Sequence, residues 1–322
     1  MSLTSFLENK DIKEKFRQEF IKPTLSRKTN PLAAPLTKNY SLVGTAFDYL
    51  MRFYIERLNP QAITHRWITE ASPGCLQNLL EYLKPKSFNN SRLAELDFES
   101  RYQILPLITK RILHTILKNE TTKTRKEVVE ICERLYINAN NIVSKAKENY
   151  SAFLTTGQMT DELMKSTLLL AQLEPIVRRG GVDLNLGGID DRDVADLINL
   201  FALLDSKTFR TDAAVLLNPG FGLRSVMVGG ADADLVIDDM IIDIKTVKEL
   251  ALTGNYFNQL IGYYTLYKID GIDDAPQHEI RRLGIYFSRY GYLHVMNIQD
   301  LIDISRFMQF LEWFKESARK KV

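Results

Sequence analysis

From the N-terminus to about residue 180, apolar residues recur three and four positions apart, which is the spacing of amphipathic helices. This spacing predicts a helix over 159–179, with Thr160 or Asp161 as its N-cap and Gly180 and Gly181 as its stop. A shorter helix with an aspartate-rich cap is predicted over 190–205. The same spacing predicts further helices over 43–58, 101–118 and 125–150.

Beyond residue 205 the pattern changes to short apolar runs separated by glycine, proline and aspartate. It predicts strands over 213–218, 223–228, 231–237 and 240–245, helices over 254–269 and 300–321, and a hairpin over 282–298 that turns around 289–291. Within one sheet, the predicted strand–helix–strand segment 240–288 would be a crossover between parallel strands. The expected architecture is α/β or α+β, with a helical N-terminal region over 1–155 and a sheet flanked by helices over 156–322.

Two of the predicted strands can be aligned as a hairpin whose two-residue turn is Asp238 and Asp239. Side chains alternate along each strand, so the hairpin has two faces. Because Asp-Asp is a poorer tight-turn pair than Asn-Gly, a register shifted by one residue stays open. One face is apolar throughout and holds Ala233, Leu235, Ile237, Met240, Ile242 and Ile244. The other face holds Asp232, Asp234 and Val236 against Ile241, Asp243 and Lys245, with Asp234 opposite Asp243 and Asp232 opposite Lys245.

Three carboxylates on one sheet face need a physical reason, because like charges directly opposite each other destabilise a sheet. A hard divalent cation between Asp234 and Asp243 would offset their repulsion. Mg²⁺ is bound through one or two carboxylates and keeps waters or substrate phosphates as its other ligands. The other interpretation is an acidic sheet face that is solvated and holds no metal. The residues alone leave both interpretations open.

Composition excludes several other kinds of site. The 322 residues include two cysteines, Cys75 and Cys132, which are too few for a four-cysteine zinc or iron–sulfur site and suit a reducing cytoplasm. The four histidines show no ligand spacing. No apolar run suits a signal peptide or a membrane span, so we expect a cytoplasmic protein with no membrane partner.

Charge is informative only locally, because a net charge of +2 is too small to indicate a nucleic-acid partner. Between Arg101 and Lys126 the only acid is Glu120. A basic stripe of this kind can follow phosphates, and a solvated helix face produces the same pattern. The basic residues are Arg101, Lys110, Arg111, Lys118, Lys123, Arg125 and Lys126.

The acidic hairpin resembles a known nuclease pattern. Asp234 is followed, after a short gap, by the segment IIDIKT, which contains Asp243, Ile244 and Lys245. An acidic residue, a gap and then hydrophobic–Asp–x–Lys on the next strand is similar to the motif of the PD-(D/E)xK nuclease superfamily. The usual proline before the first acid is replaced by Ala233.

Neighbouring helices extend the resemblance. In the segment NQLIGYY, Gln259 and Tyr263 resemble the Q-x-x-x-Y motif of the branch with RecB-type nuclease domains and phage exonucleases, and their spacing puts both on one helix face. Such nucleases carry a further acid on a helix before the first core strand. Glu174 fits that place, with Glu162 as second candidate and a helix salt bridge as the alternative role of Glu174. Asp48 stands where that branch often has a histidine, which is a departure.

The resemblance implies a restriction-endonuclease-like core, a mixed β-sheet flanked by helices, and metal-dependent hydrolysis of phosphodiester bonds in nucleic acid, most simply DNA. It implies that Asp234 and Asp243 hold Mg²⁺ or Mn²⁺, with Glu174 and the carbonyl of Ile244 as further ligands. The alternative is a catalytically inactive nucleic-acid-binding or scaffold protein of the same fold. Endonuclease or exonuclease action, DNA or RNA, and the oligomeric state stay open.

The remaining roles are also implied by the resemblance. Lys245 would orient the attacking water or stabilise the developing charge, and acting as a base would require a lowered pKa. Gln259 would position water or phosphate, while Tyr263 would contact the nucleic-acid backbone or only pack. Asp48, Asp232 and Tyr263 are secondary candidates, and Asp232 would replace Asp234 if the register were shifted.

Overall fold

The computed structural model describes residues 2–84, 102–103, 105–118, 124–275 and 277–320. The chain forms two compact units that interleave along the sequence. The sheet unit comprises Met1–Tyr40, Met51–His65 and Ile198–Val322, and the helical unit comprises Ser41–Leu50 and Arg66–Leu197. Within the described ranges, none of the helices is both long and apolar enough to cross a membrane.

The helices are α1 (Leu3–Leu7), α2 (Lys10–Glu19), α3 (Tyr40–Leu58), α4 (Ser72–Leu83), α5 (Leu107–Lys118), α6 (Arg125–Thr156), α7 (Asp161–Arg179), α8 (Asp191–Phe201), α9 (Ser206–Phe209), α10 (Gly254–Asp270) and α11 (Ile304–Arg319). The strands are β1 (Ser26–Arg27), β2 (Ile63–Thr64), β3 (Val215–Leu217), β4 (Leu235–Ile237), β5 (Met240–Lys245), β6 (Leu250–Ala251), β7 (Arg282–Phe287) and β8 (Tyr292–Asn297).

The helical unit is built around the long helix α6, which packs against α4 and α7. Helix α7 begins and ends as its sequence predicts: the Thr160 side chain accepts a hydrogen bond from the Leu163 N–H, and Gly180 adopts φ +71° after the last turn. The predicted helix over 101–118 is shorter in the structure, where α5 begins after Pro106. Of the basic run, Arg101 and Lys123 lie outside the described residues, as does Glu120.

The sheet unit contains a six-stranded mixed sheet with the order β2-β3-β4-β5-β7-β8. Strands β5 and β7 are parallel neighbours joined through α10, which confirms the predicted crossover. Strands β7 and β8 form the predicted hairpin, and Gly291 in its turn has φ +55°. Strands β1 and β6 form a separate antiparallel pair. The fold is therefore mixed α/β, as predicted.

One predicted strand is wrong. Residues Leu223–Val228 form a 3-10 helix, bounded by Gly222 at φ +64° and Gly229 at φ +83°. Glycines at positive φ turn the chain at both ends of this segment. The short apolar run therefore closes into a helical turn and does not extend beside β4.

The core of the sheet unit lies under one face of the sheet. Helices α1, α2, α10 and α11 supply much of it, together with Val236 of β4, Ile241 of β5 and Ile285 of β7. Phenylalanines join α2 to α11: the ring centroids of Phe16 and Phe310 are 5.2 Å apart in an edge-to-face arrangement. The helices thus cover the sheet face that carries Asp243.

Candidate functional site

The β4–β5 hairpin has the predicted register. Ile237 pairs with Met240 and Leu235 with Ile242, and Asp238 and Asp239 form the turn. Asp238 has φ +52°, a conformation that aspartate tolerates better than most residues. Its carboxylate accepts a hydrogen bond from Thr211, while Asp239 pairs with Arg282. These two aspartates are turn residues, as predicted.

The two strands diverge directly after the Leu235–Ile242 pair. In a regular antiparallel continuation, Ala233 and Ile244 would exchange two backbone hydrogen bonds. Instead the Ala233 N–H donates to the Pro219 carbonyl at 3.0 Å, so residues 232–234 follow the continuation of β3.

The expected pairing of Asp232 with Lys245 is therefore wrong. Asp232 forms a bridge with Gly220 and its side chain is exposed.

Asp234 reaches back across this divergence. Its Oδ2 accepts a hydrogen bond of 2.6 Å from the Ile244 N–H, which takes the place of the missing ladder bond. It does not face Asp243 as a ladder pair, because the β4–β5 ladder ends one residue earlier. Since a residue's N–H and C=O lie on the same side of a strand, the Ile244 carbonyl also faces the opening between the strands.

Asp243 and Lys245 lie on the same face of β5. The Asp243 side chain is only 1% exposed, and its Oδ2 is 2.7 Å from Lys245 Nζ, whose side chain is 17% exposed. Since this face is covered by helices, the interpretation of a solvated acidic face fails for Asp243. A buried carboxylate of this kind requires a positive partner.

Helix α10 completes the cluster. Lys245 Nζ donates to Gln259 Oε1 at 3.1 Å, and Gln259 Nε2 donates to the Tyr263 hydroxyl at 2.7 Å. Tyr263 is buried and stacks on Phe221 with ring centroids 5.4 Å apart. Asp243, Lys245, Gln259 and Tyr263 thus form a continuous polar chain from the strand into the helix.

The pKa of the Asp234 carboxyl is raised by its surroundings. Burial, followed by the negative charge of Asp243, raises the pKa of Asp234 to about 6. The charges of Lys245 and Arg52 and the hydrogen bond from Ile244 oppose this rise. An elevated carboxyl pKa beside a second carboxylate indicates a pair that a cation would stabilise.

Lys245 stays protonated in this environment. Burial lowers the pKa of its ammonium group, but the charges of Asp243 and Asp234 outweigh burial and raise the pKa above its usual value. Lys245 thus lacks the lowered pKa that a general base would need.

The site borders a cavity of about 250 Å³. Lys245, Tyr256 and Gln259 form one side of it, and α1 and α2 form the other, with Lys13 among the lining residues. The ring of Tyr256 lies 5.2 Å from Lys245 Nζ. Sequence reasoning missed Tyr256, although its place three residues before Gln259 on the same helix was a usable signal.

The oxygen ligands at the hairpin are of the type that a small hard cation binds, but they are few. Two carboxylates and one carbonyl are oxygen ligands of the kind Mg²⁺ takes, and Mg²⁺ retains several waters when a protein supplies so few. Among the described residues, no group of three or more aspartate, glutamate, histidine or cysteine side chains is placed to hold a metal. Two carboxylates are therefore the anionic ligands that the hairpin itself offers.

The candidates from earlier helices belong to the helical unit. Glu174 lies on α7, is 17% exposed at its side chain and forms an ion pair with Arg178 one turn later. Both line a cavity of about 710 Å³ within that unit. Asp48 is a half-buried residue of α3, and Glu162 lies in the first turn of α7. The structure thus shows the salt bridge that was the alternative role of Glu174.

No family model, curated protein or solved structure matches the chain.

Proposed function

We propose that this chain is a metal-dependent nuclease that hydrolyses phosphodiester bonds of nucleic acid, most simply DNA. One observation carries the proposal: Asp234 accepts a 2.6 Å hydrogen bond from the Ile244 N–H where β4 and β5 diverge, beside the chain Asp243–Lys245–Gln259, whose contacts are 2.7 and 3.1 Å long. A stabilising ion pair would need one carboxylate and one ammonium. The second carboxylate, held beside the first at a raised pKa, is costly unless the site serves a cation.

The proposed fold is a restriction-endonuclease-like core. A mixed sheet, an acidic hairpin and a parallel crossover through α10 support it, because this helix brings Gln259 to Lys245. The two motifs that follow each other in the sequence, on β5 and α10, are therefore also in contact in the folded protein.

In this proposal Asp234 and Asp243 would hold Mg²⁺ or Mn²⁺, with the Ile244 carbonyl as a further oxygen ligand. When bound, such an ion polarises a phosphate and lowers the pKa of a coordinated water. Lys245, protonated and fixed by Asp243 and Gln259, supplies positive charge for the phosphate. Gln259 orients that ammonium group, and Tyr263 orients Gln259.

The test is a Mn²⁺-dependent cleavage assay on linear, circular and single-stranded DNA and on RNA. We expect Asp243→Asn and Lys245→Gln to abolish cleavage, while circular dichroism shows a folded protein. The matched variant Asp232→Asn, which alters an exposed aspartate of the same segment, should cleave normally. Full activity in both site variants would refute the proposal. If the unaltered protein binds nucleic acid but neither cleaves it nor binds Mn²⁺, the alternative of a catalytically inactive binding protein is favoured.

A further inference from the structure

The cavity beside Lys245 is formed by parts of the chain that are distant in sequence. Lys245 and Gln259 of the proposed site form one wall, and Thr4, Leu7 and Lys13 of the N-terminal helices form the other. Helix α1 is held there by packing of its leucines on Gly262 of α10 and by the hydrogen bond from the Leu3 N–H to the Gly230 carbonyl, 3.1 Å long. The cavity is therefore a built feature of the sheet unit.

Two cations and an aromatic ring face this cavity. Lys13 and Lys245 supply the charges and Tyr256 the ring. An ammonium group has three N–H donors, and Asp243 and Gln259 account for two of those of Lys245. A lysine beside an aromatic face is the combination with which proteins bind single-stranded nucleic acid, since the cation attracts phosphate and the ring stacks on a base.

The remaining lining residues suit the polar edges of a nucleotide. Asn255 and Asn258 offer both donors and acceptors, and Glu8 offers an acceptor. Size limits the ligand further, because about 250 Å³ lies just below the roughly 300 Å³ at which pockets for drug-sized ligands begin. The cavity therefore suits one nucleotide and not a stack of several.

We propose that this cavity is a subsite for a single unpaired nucleotide, whose phosphate lies between Lys245 and Lys13 and whose base stacks on Tyr256. The proposal rests on the proposed nuclease function and deepens it. A nucleotide held here must be unpaired, since base pairing would place a second strand in a space sized for one monomer. The preferred substrates are then single strands and frayed ends.

The first test measures binding of a deoxynucleoside 5′-monophosphate to the full chain by calorimetry, in the absence of metal. We expect Tyr256→Leu, which keeps apolar packing but removes the ring, to weaken binding about tenfold or more. Tyr256→Phe should bind like the unaltered protein. Lys13→Gln should also weaken binding, whereas Lys10→Gln, which alters an exposed lysine on the same helix, should not.

Two outcomes would overturn the subsite. Unchanged affinity in Tyr256→Leu would show that the ring does not stack on the base. Inorganic phosphate binding as tightly as the nucleotide would show that the cavity takes a phosphate alone.

A second measurement separates this inference from the proposed function. If the chain cleaves DNA with Mn²⁺, the subsite predicts that Tyr256→Leu raises KM about tenfold on single strands with little change in kcat. Cleavage with an unchanged KM would leave the nuclease intact and overturn the subsite. Nucleotide binding that depends on Tyr256 in a chain without Mn²⁺-dependent cleavage would overturn the nuclease and retain the nucleotide site.

Discussion

The carboxylate of Asp234 accepts a hydrogen bond of 2.6 Å from the backbone N–H of Ile244, across the point where two paired strands separate. This contact stands in for a backbone ladder bond, because the Ala233 N–H is donated to the Pro219 carbonyl. Asp234 thereby closes the end of the ladder, and burial, followed by the charge of nearby Asp243, raises the pKa of its carboxyl group. One side chain thus ends the ladder and carries a carboxyl group with a raised pKa.

The raised pKa of Asp234 predicts how metal-free stability depends on pH. The folded value is about 6, against roughly 3.9 for an unfolded aspartate. Between these values the folded state holds a proton that the unfolded state has lost. The contribution of this group to the free energy of unfolding is therefore fully present below pH 4 and is lost as the pH rises through 6. Thermal melts from pH 4.5 to 7.5 measure this trend, and Asp234→Asn should remove it.

A bound cation should produce the opposite trend, because metal and proton compete for the same carboxylate. We expect the increase in Tm caused by Mn²⁺ to be small at pH 5 and to grow through pH 6 to pH 7.5. An increase that is the same at every pH, or one that persists in Asp234→Asn, would contradict metal binding at this pair.

Substitution of either partner of the Asp243–Lys245 ion pair should lower the free energy of unfolding. Removal of one partner of a buried pair costs about 3–5 kcal/mol, and since Lys245 is 17% exposed we expect Lys245→Gln to cost about 3 kcal/mol. The double variant Asp243→Asn, Lys245→Gln should regain part of this loss, because neither charge then lies unpaired. Urea denaturation of the four proteins measures the coupling as a double-mutant cycle. Additive losses would show that the pair does not interact.

Gln259 and Tyr263 should differ in how strongly they affect cleavage. Gln259 touches Lys245 directly, so Gln259→Leu should reduce activity by roughly 10–100-fold, the range for partners that orient a metal site. Tyr263→Phe keeps the stacking on Phe221 and loses one hydrogen bond, which costs about 1 kcal/mol of stability. The activity of Tyr263→Phe should therefore fall by less than the activity of Gln259→Leu. Equal losses in both would indicate that the tyrosine hydroxyl acts on the substrate.

Close packing at Gly262 should make α1 sensitive to substitution. A Cβ at this position would lie 3.1 Å from a methyl carbon of Leu3 and 3.2 Å from one of Leu7. Gly262→Val should therefore destabilise the protein by about 1–3 kcal/mol through overpacking and should weaken nucleotide binding by displacing α1. The matched variant Gly254→Val, where no atom lies within 4 Å of a Cβ, should leave nucleotide binding unchanged. Chemical denaturation and calorimetry measure both effects.

The hairpin register could be predicted from the sequence because alternation and the Asp238–Asp239 turn point to the same pairing. The divergence of the strands could not, since it depends on a backbone bond from Ala233 to Pro219, and nothing in the acidic segment indicates that partner. The strand predicted over 223–228 is wrong because a short apolar run fits a strand and a 3-10 turn equally well.

The ion pair of Glu174 and Arg178 was visible in their four-residue spacing. The cavity beside Lys245 was not, because its second wall comes from α1, which packs against α10, and from α2, which packs against α1 and α11. No local pattern encodes a contact between residues so far apart in the chain.

The placement of the N-terminal segments in the sheet unit has a consequence for biosynthesis. Ile63 of β2 pairs with Leu216 of β3, so the ribosome must first deliver the whole helical unit. At roughly 5–20 residues per second, β2 waits on the order of ten seconds for its partner. Meanwhile Phe6, Phe16 and Phe20, all buried in the finished unit, have no sheet to pack against. The nascent chain thus leaves these phenylalanines without their packing partners for that interval.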